Sequence, residues 1–148
     1  MTRRDWLLLL IAMDGDDEGL DPIRVQKAMF LFAEEGGRPV GERYAFVAYN
    51  YGPMSPGLYR DVEALVRRGL IERREVDGYR WHRLRATVAG HQRAGDRLCA
   101  VSGDEAVAAA RLREMRRTVQ ALDFTGLLET IYDRYPRFAQ RSVFRRRP

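Results

Sequence analysis

The order of the elements within residues 44–84 is the feature of this sequence that most constrains its fold. Segment 44–51 is rich in aromatic side chains and therefore favours a β-strand. Ser55 and Pro56 form an N-cap followed by a proline at the first helical position, and the spacing of the apolar residues predicts a helix over 55–68. A strand is thus followed closely by a capped helix.

A tight hairpin comes next. Asp77 and Gly78 are a strong signal for a two-residue turn, and they separate two β-prone runs, 71–76 and 79–84. A strand, a capped helix and a hairpin in this order are the layout of a winged helix, which is a helix-turn-helix variant with a β wing. We predict a mainly α fold with a small β component: a winged helix-turn-helix (α-α-β-α-β-β) followed by C-terminal helices.

Five further helices are predicted from apolar periodicity and capping residues. Asp21, Thr87 and Ser102 are the expected N-caps of three of them. The predicted segments are 5–13, the stretch from Asp21-Pro22 to a stop at Gly36-Gly37, 87–99, 104–122, and a last helix from Asp123 or Thr125 through Tyr135.

The chain has 148 residues, which is room for one ordinary domain. Its single cysteine, Cys99, excludes an internal disulfide and favours a reducing, cytosolic setting. The longest apolar run, 6–13, is far shorter than the roughly 20 residues of a membrane helix. We divide the chain into a winged-helix domain (1–100), C-terminal helices for dimerisation (101–136) and a basic tail (137–148).

Positive charge is concentrated in the later part of the chain. Lys27 is the only lysine, and the other 25 basic residues are arginines. Residues 1–54 carry a net charge of −3, whereas 55–101 and 102–148 carry +4 each, which gives the total of +5. This asymmetry favours a polyanionic partner, and arginine binds phosphate and guanine bidentately. A genome rich in G and C can also account for the preference for arginine over lysine.

Three short pieces of the sequence carry a family resemblance. They are Ser-Pro-Gly-Leu-Tyr at 55–59, Gly-Leu-Ile at 69–71 and Thr-x-x-Gly at 87–90. In this order they resemble winged-helix regulators of the PadR and MarR type. The resemblance implies a recognition helix at 55–68 and, as in PadR-type proteins, dimerisation through a C-terminal helix.

A second resemblance covers residues 25–65. This stretch contains a Val-Gln-Lys helix, an aromatic strand and then Tyr-Gly-Pro-Met-Ser before the next helix. The order is similar to that of Panacea and SocA-like antitoxin domains and related small bacterial winged-helix proteins. It implies a protein partner, such as a toxin.

We expect the helix at 55–68 to enter the major groove of duplex DNA with its apolar stripe buried. The stripe turns Arg60, Ala64 and Arg67 to solvent. Glu63 would repel phosphate unless it reads a cytosine or pairs with a neighbouring arginine. The same face can instead be a solvated surface with salt bridges. The candidate DNA contacts on this helix are Ser55, Tyr59, Arg60 and Arg67.

The predicted hairpin carries several arginines, which suit a wing that contacts the minor groove or flanking phosphates. Charged side chains also protect short edge strands from pairing with another chain, so this alternative stays open. The candidate contacts on the wing are Arg73, Arg74 and Arg80.

The helix over 104–122 has apolar residues spaced 4, 3, 4 and 3 apart, which is the seam of a two-heptad coiled coil. We predict a homodimer joined through this seam. Packing of the helix against its own domain is the alternative. The seam residues are Ala108, Leu112, Met115, Val119 and Leu122.

Catalytic and metal-binding patterns are lacking in the sequence. His82, His91 and Cys99 match no metal-site spacing, and the sequence has neither a phosphate-binding glycine loop nor a nucleophile elbow. We therefore expect no enzymatic activity, no metal and no cofactor. The leading hypothesis is a dimeric bacterial transcriptional regulator that binds double-stranded DNA. The alternative is a Panacea-like antitoxin or adaptor that binds a protein through the same surface.

Overall fold

A computed structural model describes residues 1–15, 17–36, 41–78 and 81–144. This part of the chain is mainly helical with a small β component, as predicted, and the strands form two small antiparallel sheets. The helices are α1 (Arg3–Ala12), α2 (Pro22–Glu35), α3 (Pro56–Arg67), α4 (Val88–Ala100), α5 (Asp104–Ala121) and α6 (Phe124–Arg134), with 3₁₀ helices at Met13–Gly15 and Pro136–Ala139. The strands are β1 (Val47–Tyr49), β2 (Gly52–Met54), β3 (Ile71–Arg74) and β4 (Arg83–Ala86).

Side chains at the helix starts set most of the helix boundaries. Five helices begin after a residue whose side chain accepts a hydrogen bond from the helix backbone. The predicted cap at Ser102 is wrong, because Gly103 is the N-cap of α5 and has no side chain to offer. The capping residues are Thr2, Asp21, Ser55, Thr87 and Asp123.

The aromatic segment forms a hairpin instead of the single strand predicted over 44–51. β1 pairs antiparallel with β2, and Ala48 lies opposite Pro53. Gly52 has a φ of +87°, a conformation that residues with a Cβ atom rarely adopt. Pro53 lacks a backbone N–H, and it is tolerated in β2 because both strands of a two-stranded sheet are edge strands.

β3 and β4 form the second hairpin in a register other than the predicted one. A two-residue turn at the Asp-Gly pair would place Ile71 opposite Leu84, but Ile71 pairs with Ala86. The cause lies outside the hairpin. Leu84 exchanges two backbone hydrogen bonds, of 2.9 and 2.7 Å, with Leu20, which precedes α2. This bridge and the burial of Leu84 and Ala86 determine the position of β4.

One hydrophobic core includes side chains from all six helices. α1 is buried from Trp6 to Ala12, α4 packs against α1, and α5 packs against α2. The core therefore does not divide near residue 100, where the predicted winged-helix domain ends. Within the described residues, no helix combines the length and the apolar composition needed to cross a membrane.

The apolar seam of α5 belongs to this core. Leu112 and Val119 are fully buried within the single chain, because α5 turns this face toward α2. Arg24 on α2 reinforces the contact by donating to the backbone oxygens of Val119 at 2.9 Å and Leu122 at 2.6 Å. Four of the five seam side chains are buried in the chain's own core and only Leu122 is partly exposed, which corrects the prediction of a dimer interface there. Buried or half-buried in this way are Ala108, Leu112, Met115, Val119 and Leu122.

Candidate nucleic-acid interface

α3 has one face in the core and one face in solvent. Arg60 and Arg67 lie on the solvent face, two helical turns or about 10 Å apart along the axis. Tyr59 and Glu63 share this face, and the Tyr59 side chain is half exposed. Ala64 is buried, which corrects the prediction that it faces outward.

Ser55 is a buried positioning residue and does not lie on the solvent face. Its hydroxyl oxygen accepts a hydrogen bond from the Leu58 amide at 3.3 Å, which caps α3. Its backbone is held by Gln26 of α2, whose side chain donates to the Ser55 carbonyl at 3.2 Å and accepts from the Ser55 amide at 2.9 Å. Ser55 is therefore not available as the predicted DNA contact. Gln26 was not among the predicted site residues; it lies in the Val-Gln-Lys stretch, whose pattern does not mark it as a partner of Ser55.

A buried carboxylate ties α3 to α1. Asp61 accepts hydrogen bonds from the Tyr44 hydroxyl at 2.6 Å, Arg3 Nε at 3.2 Å and an Arg4 terminal nitrogen at 3.1 Å. Burial disfavours the Asp61 charge, but the hydrogen bonds from Tyr44 and Arg4 and the charges of both arginines hold its pKa below the usual value. Burial and the bond to Asp61 raise the pKa of Tyr44. Arg3 and Arg4 are thus committed to the protein itself.

The wing, defined here as β3, β4 and the residues between them, contacts α3 through a salt bridge. Arg73 on β3 pairs with Glu63 on α3. This pair neutralises the Glu63 carboxylate with an arginine of the wing, whereas the sequence suggested an arginine of the helix. Arg74, the next residue, is exposed. Arg80, the third predicted wing contact, lies outside the described residues.

Three of the arginines predicted to contact DNA have no partner for their charge among the described residues. Within the part of the chain that the structure describes, no hydrogen bond or ion pair engages the guanidinium groups of Arg60, Arg67 and Arg74, and all three are exposed. An exposed guanidinium suits phosphate and guanine because its planar fork donates two parallel hydrogen bonds. The structure thus places two free arginines on α3 and one on the adjacent strand.

A second group of arginines lines a recess of about 380 Å³ formed by α1, α3 and α4. Arg68 and Arg93 are exposed there and have no ion pair among the described residues, whereas Arg97 lies 3.9 Å from Asp5. This group was not among the predicted sites. No motif marks it, because the packing of α4 against α1 joins distant parts of the chain.

An apolar cavity of about 330 Å³ lies between α2, the β1–β2 hairpin, α3 and the wing. Tyr49 and Tyr59, each about half exposed, contribute to its lining. Lys27 also lines it, and its buried Nζ donates to the backbone oxygen of Pro53 at 3.0 Å. Burial lowers the pKa of Lys27 to about 7, against the opposing effect of the Asp21 carboxylate.

A comparison with known protein families finds none that matches the chain, and a comparison with curated proteins finds no significant match. Among the described residues, no group of His, Cys, Asp and Glu side chains is placed to hold a metal ion. Function is therefore inferred from the geometry of the side chains above.

Proposed function

We propose that this protein binds duplex DNA as a winged-helix regulator of transcription, with α3 as the recognition helix. The observation that carries the proposal is the exposed face of α3, where Arg60 and Arg67 have no ion pair in the described chain. The strand β3, which packs against α3, adds the exposed Arg74. A helix of this kind fits the major groove, and an adjacent hairpin fits the flanking backbone.

The order of the elements supports this proposal. A winged helix consists of three helices, a short first strand and a two-stranded wing. In the proposed arrangement the helices are α1, α2 and α3, the first strand is the segment at Leu20, and the wing strands are β3 and β4. Leu20 extends the β3–β4 sheet because it pairs with Leu84. The β1–β2 hairpin is then an insertion between the two helices of the helix-turn-helix, and the Gln26–Ser55 contact holds those helices together across it.

The charge of the chain is also what DNA binding requires. The formal net charge is +5, and residues 55–101, which include α3 and the wing, carry +4. The proposed function assigns the protein to the cytoplasm of a bacterium. It also asks for two copies on half-sites about one helical turn apart, because one winged helix reads only a few base pairs. These copies would meet through a surface other than the α5 seam.

Binding of a labelled duplex, followed by fluorescence anisotropy, tests the proposal. We expect the logarithm of the affinity to fall with the logarithm of salt concentration by about 0.9 per phosphate contact. Arg60→Ala and Arg67→Ala should each weaken binding by about 1–3 kcal/mol. Arg117→Ala is the matched control, since Arg117 is equally exposed on α5. Absence of binding at low salt, or equal effects of all three substitutions, would contradict the proposal.

A second candidate function, an antitoxin or adaptor of the Panacea type, is favoured by exposed apolar side chains. Val47 and Tyr49 lie on one face of β1, and together with Tyr59 of α3 they are 50, 48 and 50% exposed. Exposed aromatic groups of this kind are typical of protein interfaces. If DNA binding is absent and Tyr49→Asp abolishes a complex with the product of a neighbouring gene, this function replaces the first.

A further inference from the structure

The cavity between α2, the β1–β2 hairpin, α3 and the wing contains the only lysine of the chain. Its volume is about 330 Å³, and an apolar cavity of roughly 150 Å³ is enough to bind benzene. The lining is mostly apolar and includes the aromatic rings of Tyr51 and Trp81. A small aromatic or aliphatic molecule therefore fits its size and polarity.

Lys27 is one of the residues that line this space, and it is the one that carries an amine. The residue is only 3% exposed, and within the described residues Nζ makes one hydrogen bond, to the Pro53 carbonyl oxygen at 3.0 Å. A buried ammonium ion with one bond is poorly compensated, which is why burial lowers the pKa of Lys27 to about 7. Near neutral pH a large share of Lys27 is the neutral amine, the form that attacks carbonyl carbon.

We propose that the cavity binds small uncharged aldehydes and that Lys27 joins them as an imine. The lone pair of Nζ attacks the carbonyl carbon, a carbon–nitrogen bond forms, and the carbonyl π electrons move to oxygen. The two protons of the neutral amine leave with that oxygen as one molecule of water, and a carbon–nitrogen double bond remains. When this imine takes up a proton, its N–H can still donate to the Pro53 oxygen.

The charged groups around the cavity favour a neutral ligand over an anion. Arg73, which lines it, is paired with Glu63. Burial and the Arg73 charge lower the pKa of His82, which favours the neutral form of this ring. The Asp21 carboxylate acts on Lys27 and would repel an anion placed there. A carboxylate ligand would lose its hydration on entering the cavity without gaining a compensating ion pair, whereas the desolvation of an uncharged aldehyde costs much less free energy.

Reductive trapping tests the proposal. The full-length protein is treated with benzaldehyde and sodium cyanoborohydride at pH 7, and intact mass followed by peptide mapping locates the benzyl group. We expect one adduct at Lys27, formed at a rate that saturates as benzaldehyde increases, because the aldehyde binds before it reacts. Mapping separates this adduct from one at the Met1 amine, which donates to Glu105. No label at Lys27, or a rate that rises linearly without saturation, would overturn the proposal.

An added lysine supplies the internal control. Arg117→Lys places a second amine on the exposed face of α5. At pH 7 we expect Lys27 to be labelled at least about tenfold faster, because a solvated lysine is almost fully protonated there. Ile23→Phe, introduced in the same background to narrow the cavity, should slow labelling of Lys27 alone. Slower labelling at Lys27 than at the exposed amine, or equal slowing of both by Ile23→Phe, would contradict a cavity site.

Discussion

Gln26 and Ser55 bind each other in both directions, with the side chain of one meeting the backbone amide and carbonyl of the other. The pair is buried, so neither residue contacts solvent through these groups. Ser55 is the N-cap of α3, so this contact fixes the start of α3 relative to α2. The positions of the exposed arginines of α3 relative to α2 depend on it.

Gln26→Leu should destabilise the protein by about 2–6 kcal/mol. The substitution keeps the volume of the side chain but leaves the amide and carbonyl of Ser55 buried without partners, and each such group costs about 1–3 kcal/mol. Urea denaturation measures the change. Gln92→Leu on the exposed face of α4 is the control and should stay within about 0.5 kcal/mol of the parent protein. Equal changes in the free energy of unfolding at the two sites would show that the Gln26–Ser55 contact does not contribute specifically to stability.

Glu63→Gln should strengthen DNA binding, a prediction that depends on the proposed function. The substitution removes a negative charge from the face of α3 and releases Arg73 from its ion pair. We expect about tenfold higher affinity and a salt slope steeper by about 0.9, which is one further phosphate contact. Glu114→Gln on exposed α5 makes the same change of charge elsewhere and serves as the control. If both variants gain equally, net charge alone is responsible.

Lys27 should make stability increase with pH above neutrality. Its ordinary pKa is 10.5, and in the folded protein burial lowers the pKa to about 7. Between these values the unfolded chain retains a proton that the folded protein has released, so the free energy of unfolding rises with pH. The rise from pH 7 to pH 9 should be about 2 kcal/mol in urea denaturation. Lys27→Met should lose this rise, and an unchanged pH profile in that variant would exclude Lys27 as its source.

Leu112→Ala should lower stability by about 2–5 kcal/mol at every protein concentration. The side chain is completely buried inside the single chain, so the substitution leaves a cavity between α5 and its own core. Thermal unfolding across a hundredfold range of concentration measures this. A residue at a dimer contact would instead give a difference in Tm between variant and parent that changes with protein concentration. Val107→Ala, at a position 57% exposed on the same helix, should be nearly neutral.

Local signals in the sequence predicted the helices and most of their starting points. Asp21, Ser55 and Thr87 cap the helices that follow them, because a capping bond reaches only three residues along the chain. The solvent face of α3 also followed from its apolar stripe, except at Ala64. These features depend on neighbours in sequence, so the sequence alone contains them.

Features that depend on distant partners could not be predicted in this way. The register of β4 is determined by Leu20, and the burial of Leu112 requires α2 to lie opposite α5. From its sequence position alone Asp61 is expected to be a surface carboxylate; its burial follows from contacts with Arg4 and Tyr44, which are distant in sequence. The 3.5-residue spacing of α5 indicates that it packs against another helix, but the same spacing serves a helix of the same chain and one of a second copy.

The contact between Arg24 and α5 also has a consequence for the synthesis of the protein. The Arg24 guanidinium donates to the carbonyl oxygens of Val119 and Leu122, which lie 95 and 98 residues further along the chain. Until the ribosome has synthesised α5, the apolar face of α2 is exposed to water and Arg24 cannot form these hydrogen bonds. A nascent chain therefore completes its core only after α5 emerges, and a chain that stalls earlier exposes surface that chaperones and proteases can bind.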